Sequence, residues 1–215
     1  MAYFPLFLQL EKKQCLVAGG GRVALRKIRA LKEFGGEVEV VSPEIIQPIL
    51  QMPDVTCLQR AFQTSDLEGK TLVIAATDEK EENHKISAAC RERGILVNAV
   101  DQTEDCSFIF PAYIKQGDAV AAFSSGGNSP AAAQYMKRQM EPVLTEYFGN
   151  LTKCLGDIRA AVKEQVDISD RKQLYEEILR IGLEEDRMPE DGEIQQLIET
   201  YSRKSRKEIW TEQED

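Results

Sequence analysis

The N-terminal half of the chain alternates short apolar runs with amphipathic stretches. Gln14 to Ala18 (QCLVA) is a β-leaning apolar run, and after three glycines come Val23, Ala24, Ile28 and Leu31 at helical spacing. Phe34-Gly35-Gly36 stops that helix, and Glu37 to Val41 (EVEVV) makes the next strand. Together these form a β-α-β unit of roughly thirty residues, long enough for a parallel crossover. Such crossovers are right-handed, so the two strands are expected side by side in a parallel sheet. Val55 to Gln59, Thr71 to Ala75 (TLVIA), a polar helix from about Glu79 to Arg93 and Ile95 to Val100 (ILVNAV) continue the alternation. The expectation is an α/β fold with a doubly wound, Rossmann-type parallel sheet.

Past Asp101 the pattern changes. Ser107 to Ile114 and Ala119 to Ser124 read as strands with Gly117 in the turn between them, and a helix opens at Ser129-Pro130. From about Leu151 the chain is highly charged, poor in β-branched runs and punctuated by Gly182 and by Pro189 to Gly192, which predicts two or three short helices. Three parts follow: a Rossmann domain over 1–111, a small α+β segment over 112–148 and a helical C-terminal domain over 149–215.

Composition narrows the function. With 42% hydrophobic and 29% charged residues, the chain can bury a core without disulfides or a structural metal. A net charge of -9 argues against nucleic acid and anionic membranes as partners, since both select for Lys and Arg. It also means that an anionic substrate must be held by local donors. Cys15, Cys57, Cys90, Cys106 and Cys154 are odd in number and lack a CxxC pair, so they read as reduced thiols rather than a disulfide framework or zinc site, and no metal is expected. Met1 to Leu10 has no basic start and no small-residue cleavage site, and its apolar stretch is too short to span a membrane; a cytoplasmic protein is expected.

The segment Gly19-Gly20-Gly21-Arg22-Val23-Ala24 fits G-x-G-x-x-A and lies after a buried strand and at a helix start. Gly19 permits the tight turn, Gly21 lets a pyrophosphate approach the backbone, and Ala24 keeps helix and strand close. Free N–H groups and the positive helix dipole point at the phosphates. The second strand does not end in the acidic residue that would bind the adenosine ribose: Ser42-Pro43 follows Val41, and Glu44 is the first carboxylate. No Arg follows Ser42 until Arg60, so NAD is favoured over NADP, with Glu44 as the candidate ribose partner. Thr77, after TLVIAA, is either a cofactor contact or a helix cap.

Asp101 ends a strand on the ligand side of the expected sheet, where a carboxylate serves as a base, orients a substrate or simply begins a turn. Ser124-Ser125-Gly126-Gly127-Asn128-Ser129, followed by Pro130, places glycines and hydroxyls before a helix, which suits a carboxylate-binding nest or an ordinary strand-to-helix turn. His84 reads as a surface residue, and Tyr135, Met136 and Met140 as core or dimer contacts.

Four motifs, FPLFLQLEKKQCLVAGGGRVALRK, VIAATDE, VNAVDQTEDCSFIFPA and FSSGGNSPAAA, resemble in order and spacing the precorrin-2 dehydrogenase family, the N-terminal part of siroheme synthase. The likeness covers about Tyr3 to Gly149; the acidic tail is only loosely similar. It implies removal of a hydride and a proton from precorrin-2, the hydride passing to NAD and leaving sirohydrochlorin. By motif position Asp101 corresponds to the family's essential carboxylate, Arg22, Val23, Pro43 and Glu44 to positions bordering NAD, and Ser125 to a serine near the substrate that is modified in some members. The resemblance further implies a homodimer formed through the segment after the Rossmann sheet. Two other readings remain open: a bifunctional dehydrogenase and ferrochelatase, because some relatives insert ferrous iron, and a non-catalytic nucleotide-sensing Rossmann domain.

Overall fold

The structure is a computed structural model that describes residues 3–185 and 187–211, with side chains through residue 202. The chain divides into two compact units, Met1–Phe110 with Ser125–Ser129, and Pro111–Ser124 with Pro130–Asp215.

In the first unit the elements run β1 (Gln14–Ala18), α1 (Arg22–Glu33), β2 (Glu37–Val41), α2 (Gln47–Leu50), β3 (Val55–Leu58), β4 (Leu72–Ala75), α3 (Lys80–Glu92) and β5 (Leu96–Ala99). The strands form one parallel sheet in the order β3-β2-β1-β4-β5, with Val17 paired to Val40 on one side and to Ile74 on the other. Strand order reverses between β1 and β4, and a doubly wound sheet opens a ligand crevice at that point, beyond the carboxyl ends of its strands.

The apolar runs are continuous because both sheet faces are covered. Successive side chains of a strand point to opposite faces. Cys15, Val17 and Ile74 therefore pack with Ala24, Ile28 and Leu31 of α1, while Leu16, Ala18, Val73 and Ala75 pack with Ile86 and Cys90 of α3. For the five strands of this sheet, expected and observed ends agree to within a residue.

The second unit contains the hairpin of β6 (Ala112–Gln116) and β7 (Ala119–Phe123), antiparallel with Ala112 opposite Phe123, and Gly117 turns between them at φ +59°. The expected strand from Ser107 is shorter than its pattern suggested. Ser107 N donates to Val97 O at 2.8 Å, Val97 N donates to Ser107 Oγ at 2.8 Å, and Asn98 Nδ2 donates to Phe108 O at 3.0 Å. Those groups tie the stretch to the edge of β5 one bond at a time, while Phe108 and Phe110 pack on the α1 side of the sheet.

The helices of this unit are α4 (Pro130–Met140), α5 (Glu146–Asp157), α6 (Arg159–Gln165), α7 (Ile168–Glu185) and α8 (Asp191–Thr211). The expectation of two or three short helices after Leu151 is corrected, since α7 and α8 are long. Gly182 lies inside α7 instead of ending it. A β-carbon there would come within 2.6 Å of Leu151 Cδ2, and Leu151 is fully buried, so this glycine is a packing notch. Val162, Val166, Leu174, Ile178, Ile194 and Ile198 form the core of this helical part. Among the described residues no helix is long and apolar enough to cross a membrane.

The connection from β3 to β4 is fastened by a charged pair. Arg60 donates through Nη1 and Nη2 to the two Asp66 oxygens at 2.8 and 2.6 Å, and Gln63 N donates to Asp66 Oδ2 at 2.8 Å. The Arg60 hydrogen bonds, with that of Gln63 N, hold the Asp66 carboxyl below its ordinary value of 3.8. Since the unfolded chain binds this proton more readily than the folded one, the pair's stabilisation is complete above pH ~4 and fades as pH falls through the lowered folded value. Asp66→Asn is expected to cost about 1–2 kcal/mol at pH 7 in urea unfolding, kept modest because the Arg60 side chain is 38% exposed. The difference from wild type should shrink steadily below pH ~4.

Candidate active site

The turn from β1 into α1 contains three glycines with three different reasons. Gly19 has φ +125°, and a β-carbon on it would sit 2.1 Å from Ala76 O. One on Gly20 would sit 2.0 Å from Glu44 O, and Ile46 N donates to Gly20 O at 3.0 Å, so this glycine admits the loop that follows β2. Gly21 differs from both. It is exposed, extended at φ -89°, and has nothing within 4 Å of where a β-carbon would lie, so no atom of the protein demands a glycine there. No side chain caps α1, no acidic residue occupies its first turn, and Ala24 is fully buried against the sheet. An uncapped helix start with free space beside an unrequired glycine fits a diphosphate held by backbone N–H groups.

The other expected cofactor residues lie on segments beside this turn. Arg22 and Val23 open α1 and are exposed; Ser42 is half-buried, its N–H donating to Leu58 O at 3.1 Å, and Pro43 and Glu44 are exposed on the loop packed against Gly20. Thr77 follows β4, but its polar groups are in use: Thr77 N and Oγ1 lie 3.1 and 2.8 Å from Asn83 Oδ1, and Asn83 Nδ2 returns a bond to Thr77 O at 3.0 Å. Of its two readings, the local one has visible partners, although the residue before α3 is Glu79 and Thr77 fastens the turn from within.

Asp101 follows β5 and is exposed. Its backbone is left-handed at φ +60°, a conformation that an L-residue other than glycine adopts infrequently, with Asp among the more tolerant. Among the described residues its carboxylate has no hydrogen bond or ion pair. The loop after it is pinned. Gln102 Nε2 donates to Lys80 O at 3.2 Å and to Asp105 Oδ2 at 3.0 Å; His84 Nδ1 lies 2.8 Å from Asp105 Oδ1; and Ser87 Oγ donates to Asp105 O. Cys106 Sγ accepts from Ala99 N at 3.2 Å and from Asn98 Nδ2 at 3.4 Å, and burial pushes its thiol up. A free carboxylate on a rigid loop is suited to receive or orient a proton.

Ser125–Ser129 form a closed turn. Ser125 Oγ donates to Ser129 O and accepts from Ser129 N, both at 2.8 Å, and Asn128 Nδ2 donates to Ser125 O at 3.0 Å. Gly126 and Gly127 take φ +66° and +88° and, like Asn128, are exposed. The turn is counted with the first unit, whereas Ser124 and α4 belong to the second. Pro130 is the first residue of α4, as its sequence position suggested.

Three features escaped the sequence reading. Gly20 occupies a variable position of the glycine motif, and its need arises from a loop distant in sequence. Asp105, only 2% exposed, is a charged residue in a charged stretch, and nothing local marks it as the anchor of His84. Lys27 is half-buried on α1, with Nζ 3.8 Å from the Phe110 ring centroid. Burial, with help from Arg26 and against Cys106 and Asp101, lowers its pKa to about 8. Its signal was a lysine beside the buried stripe of Ala24, Ile28 and Leu31. His84 is mostly exposed as expected, but paired. Tyr135, Met136 and Met140 are not core: they are exposed on α4.

Sheet order, glycine turn and uncapped helix define the class: a Rossmann nucleotide-binding domain. Residues 6–112 match the family model described as "Putative NAD(P)-binding". The chain is 36% identical over 182 residues to a siroheme synthase of Photobacterium profundum, covering 83% of this chain and 39% of that protein. It is 38% identical over 199 residues to the siroheme synthase of Ectopseudomonas mendocina, covering 90% and 43%. The chain thus spans about two fifths of the length of the curated relatives it matches. Among solved structures it is similar to SirC, a precorrin-2 dehydrogenase, with a TM-score of 0.71 at 21% identity over 94% of this chain and 100% of that one, a likeness of fold.

The glycines separate folding from ligand binding. Gly21→Ala should leave the thermal midpoint within about 2 °C of wild type yet weaken NAD binding at least tenfold, roughly 1.4 kcal/mol, in a calorimetric titration. Gly20→Ala should instead destabilise the fold by about 1–3 kcal/mol or more, because backbone must move.

Proposed function

We propose that this chain is an NAD-dependent precorrin-2 dehydrogenase that forms sirohydrochlorin for siroheme synthesis. The observation that carries the reading is the carboxylate of Asp101, exposed and unpartnered on a left-handed residue in a pinned loop at the end of β5. The siroheme synthase relatives point to the same chemistry, as does the fold likeness to SirC.

NAD, when bound, supplies the hydride acceptor. The N–H groups at the start of α1, with Gly19 and Gly21 allowing close approach, hold its diphosphate; Arg22 and Val23 border it, Ser42, Pro43 and Glu44 take the adenosine ribose, and Thr77 edges the crevice. Asp101 receives the proton that leaves precorrin-2 as the hydride departs, and passes it to solvent. The substrate's carboxylates need local donors in a chain whose net charge is -9, and the turn from Ser124 to Ser129, exposed at Gly126, Gly127 and Asn128, is where they are met, with Ser125, Asn128 and Ser129 exchanging bonds made within the turn for bonds to the substrate.

The acting species is a homodimer built on 112–148. Tyr135 and Val143 are 57% and 59% exposed there, Met136 and Met140 are exposed too, and an isolated two-stranded hairpin is only marginally stable. The acidic surface fits a cytoplasmic enzyme without nucleic-acid or membrane partners.

Supplied anaerobically with precorrin-2 and NAD, the protein should produce NADH and the sirohydrochlorin spectrum together. Asp101→Ala should lower turnover about 10²–10⁴-fold with NAD affinity unchanged; wild-type turnover in that variant would overturn the assignment. Ligand binding with no turnover in wild type would favour a sensor instead. Light scattering should give twice the chain mass, and Met140→Glu with Val143→Glu should give the single-chain mass.

A further inference from the structure

Lys27 has no place in the chemistry described so far. It follows Ala24 by three residues and precedes Ile28 by one, both fully buried, so the helix brings it to the rim of the packed face of α1. Its ammonium rests 3.8 Å from the Phe110 ring centroid, a contact that holds a cation without neutralising it. Among the described residues no carboxylate lies within ion-pair distance. The burial of this cation is therefore not offset by an ion pair. Lys70 shows the ordinary solution: its side chain is 10% exposed and takes Glu39 at 3.3 Å.

The charged groups that act on Lys27 are few. Arg26, its neighbour on α1, repels it, while Asp101, from the segment after β5, attracts it; Cys106 from the same segment would do so only as a thiolate, and burial holds it as the neutral thiol. Neither of the latter is an ion-pair partner, so the ammonium is held partly desolvated, within electrostatic reach of Asp101 and without a counter-ion among the described residues. Such a group is costly in an empty site and favourable once an anion arrives.

We propose that Lys27 is a substrate-binding residue that receives one carboxylate of the tetrapyrrole, setting the macrocycle against Asp101. The inference rests on the dehydrogenase reading for the identity of the ligand, and its chemistry is a carboxylate-bearing tetrapyrrole rather than a dinucleotide. The Phe110 ring gives the ammonium a fixed seat, so the ion pair forms with little side-chain ordering. Because only the protonated amine binds an anion, affinity is full below pH ~8 and falls above it as the proton is lost.

Lys27→Met, which keeps the apolar stem over Phe110 and removes the charge, should raise KM for precorrin-2 at least tenfold while kcat changes less than threefold and NAD affinity stays constant. Lys27→Arg should recover most of the loss, and its KM should stay flat above pH 8 where wild type rises. A readout independent of turnover is the Lys27 amine resonance, identified by its disappearance in Lys27→Arg. Its titration midpoint, near 8, should move upward on adding sirohydrochlorin and stay in place on adding NAD. An unchanged KM in Lys27→Met, or a resonance indifferent to sirohydrochlorin, would overturn the inference while leaving the dehydrogenase intact. If wild type fails to oxidise precorrin-2 but the resonance still moves, the dehydrogenase reading falls and the binding role of Lys27 stands.

Discussion

At Gly19 and Gly20 three backbone segments meet with no room for a side chain, because β-carbons there would lie 2.1 and 2.0 Å from the carbonyl oxygens of Ala76 and Glu44. The rest of the nucleotide domain follows from that approach. It lets the end of β1 pass close to the segment after β4 and to the loop after β2, and it delivers the start of α1 with its N–H groups uncapped. Fully buried Ala24 then holds the first turn of the helix tightly against the sheet. The uncapped start of α1 is therefore a consequence of close packing at Gly19 and Gly20, and only Gly21 has no protein atom that accounts for it.

The same economy governs charge. Carboxylates that serve structure are paired: Asp66 takes Arg60, and Asp105 is enclosed by Gln102, His84 and the more distant Arg91. Asp101 is left outside this scheme, on a residue with a left-handed backbone whose following loop is held by the hydrogen bonds of Gln102 and Asp105. Lys27 is its cationic counterpart, seated on an aromatic ring instead of a carboxylate. Among the described residues neither charge has an ion-pair partner, and each acts on the other only at longer range.

The parallel sheet was readable because burial on two faces leaves an unmistakable trace, continuous runs such as LVIA and QCLVA between turns. Elements whose pattern depends on one distant neighbour were harder. Ser107 to Phe110 has the composition of a strand, yet its backbone is spent on single bonds to β5. Gly182 looks like a helix stop, and only the Leu151 side chain against it reveals a notch in a long helix. Asp101 was visible as a residue at a strand end, but its left-handed backbone and its missing partner were not.

The sequence by itself determined the alternation of strand and helix, the glycine turn at the head of the first helix and the position of Asp101 behind the last strand of the sheet, because each depends on periodicity and turn chemistry within a short window. The tertiary structure alone decided why Gly20 must be glycine, which carboxylates are neutralised and that Lys27 rests on an aromatic ring rather than beside a carboxylate. Those answers depend on which atoms meet in the folded chain, from six residues apart for Arg60 and Asp66 to more than eighty for Lys27 and Phe110, and local pattern carries no information about distances that only folding sets.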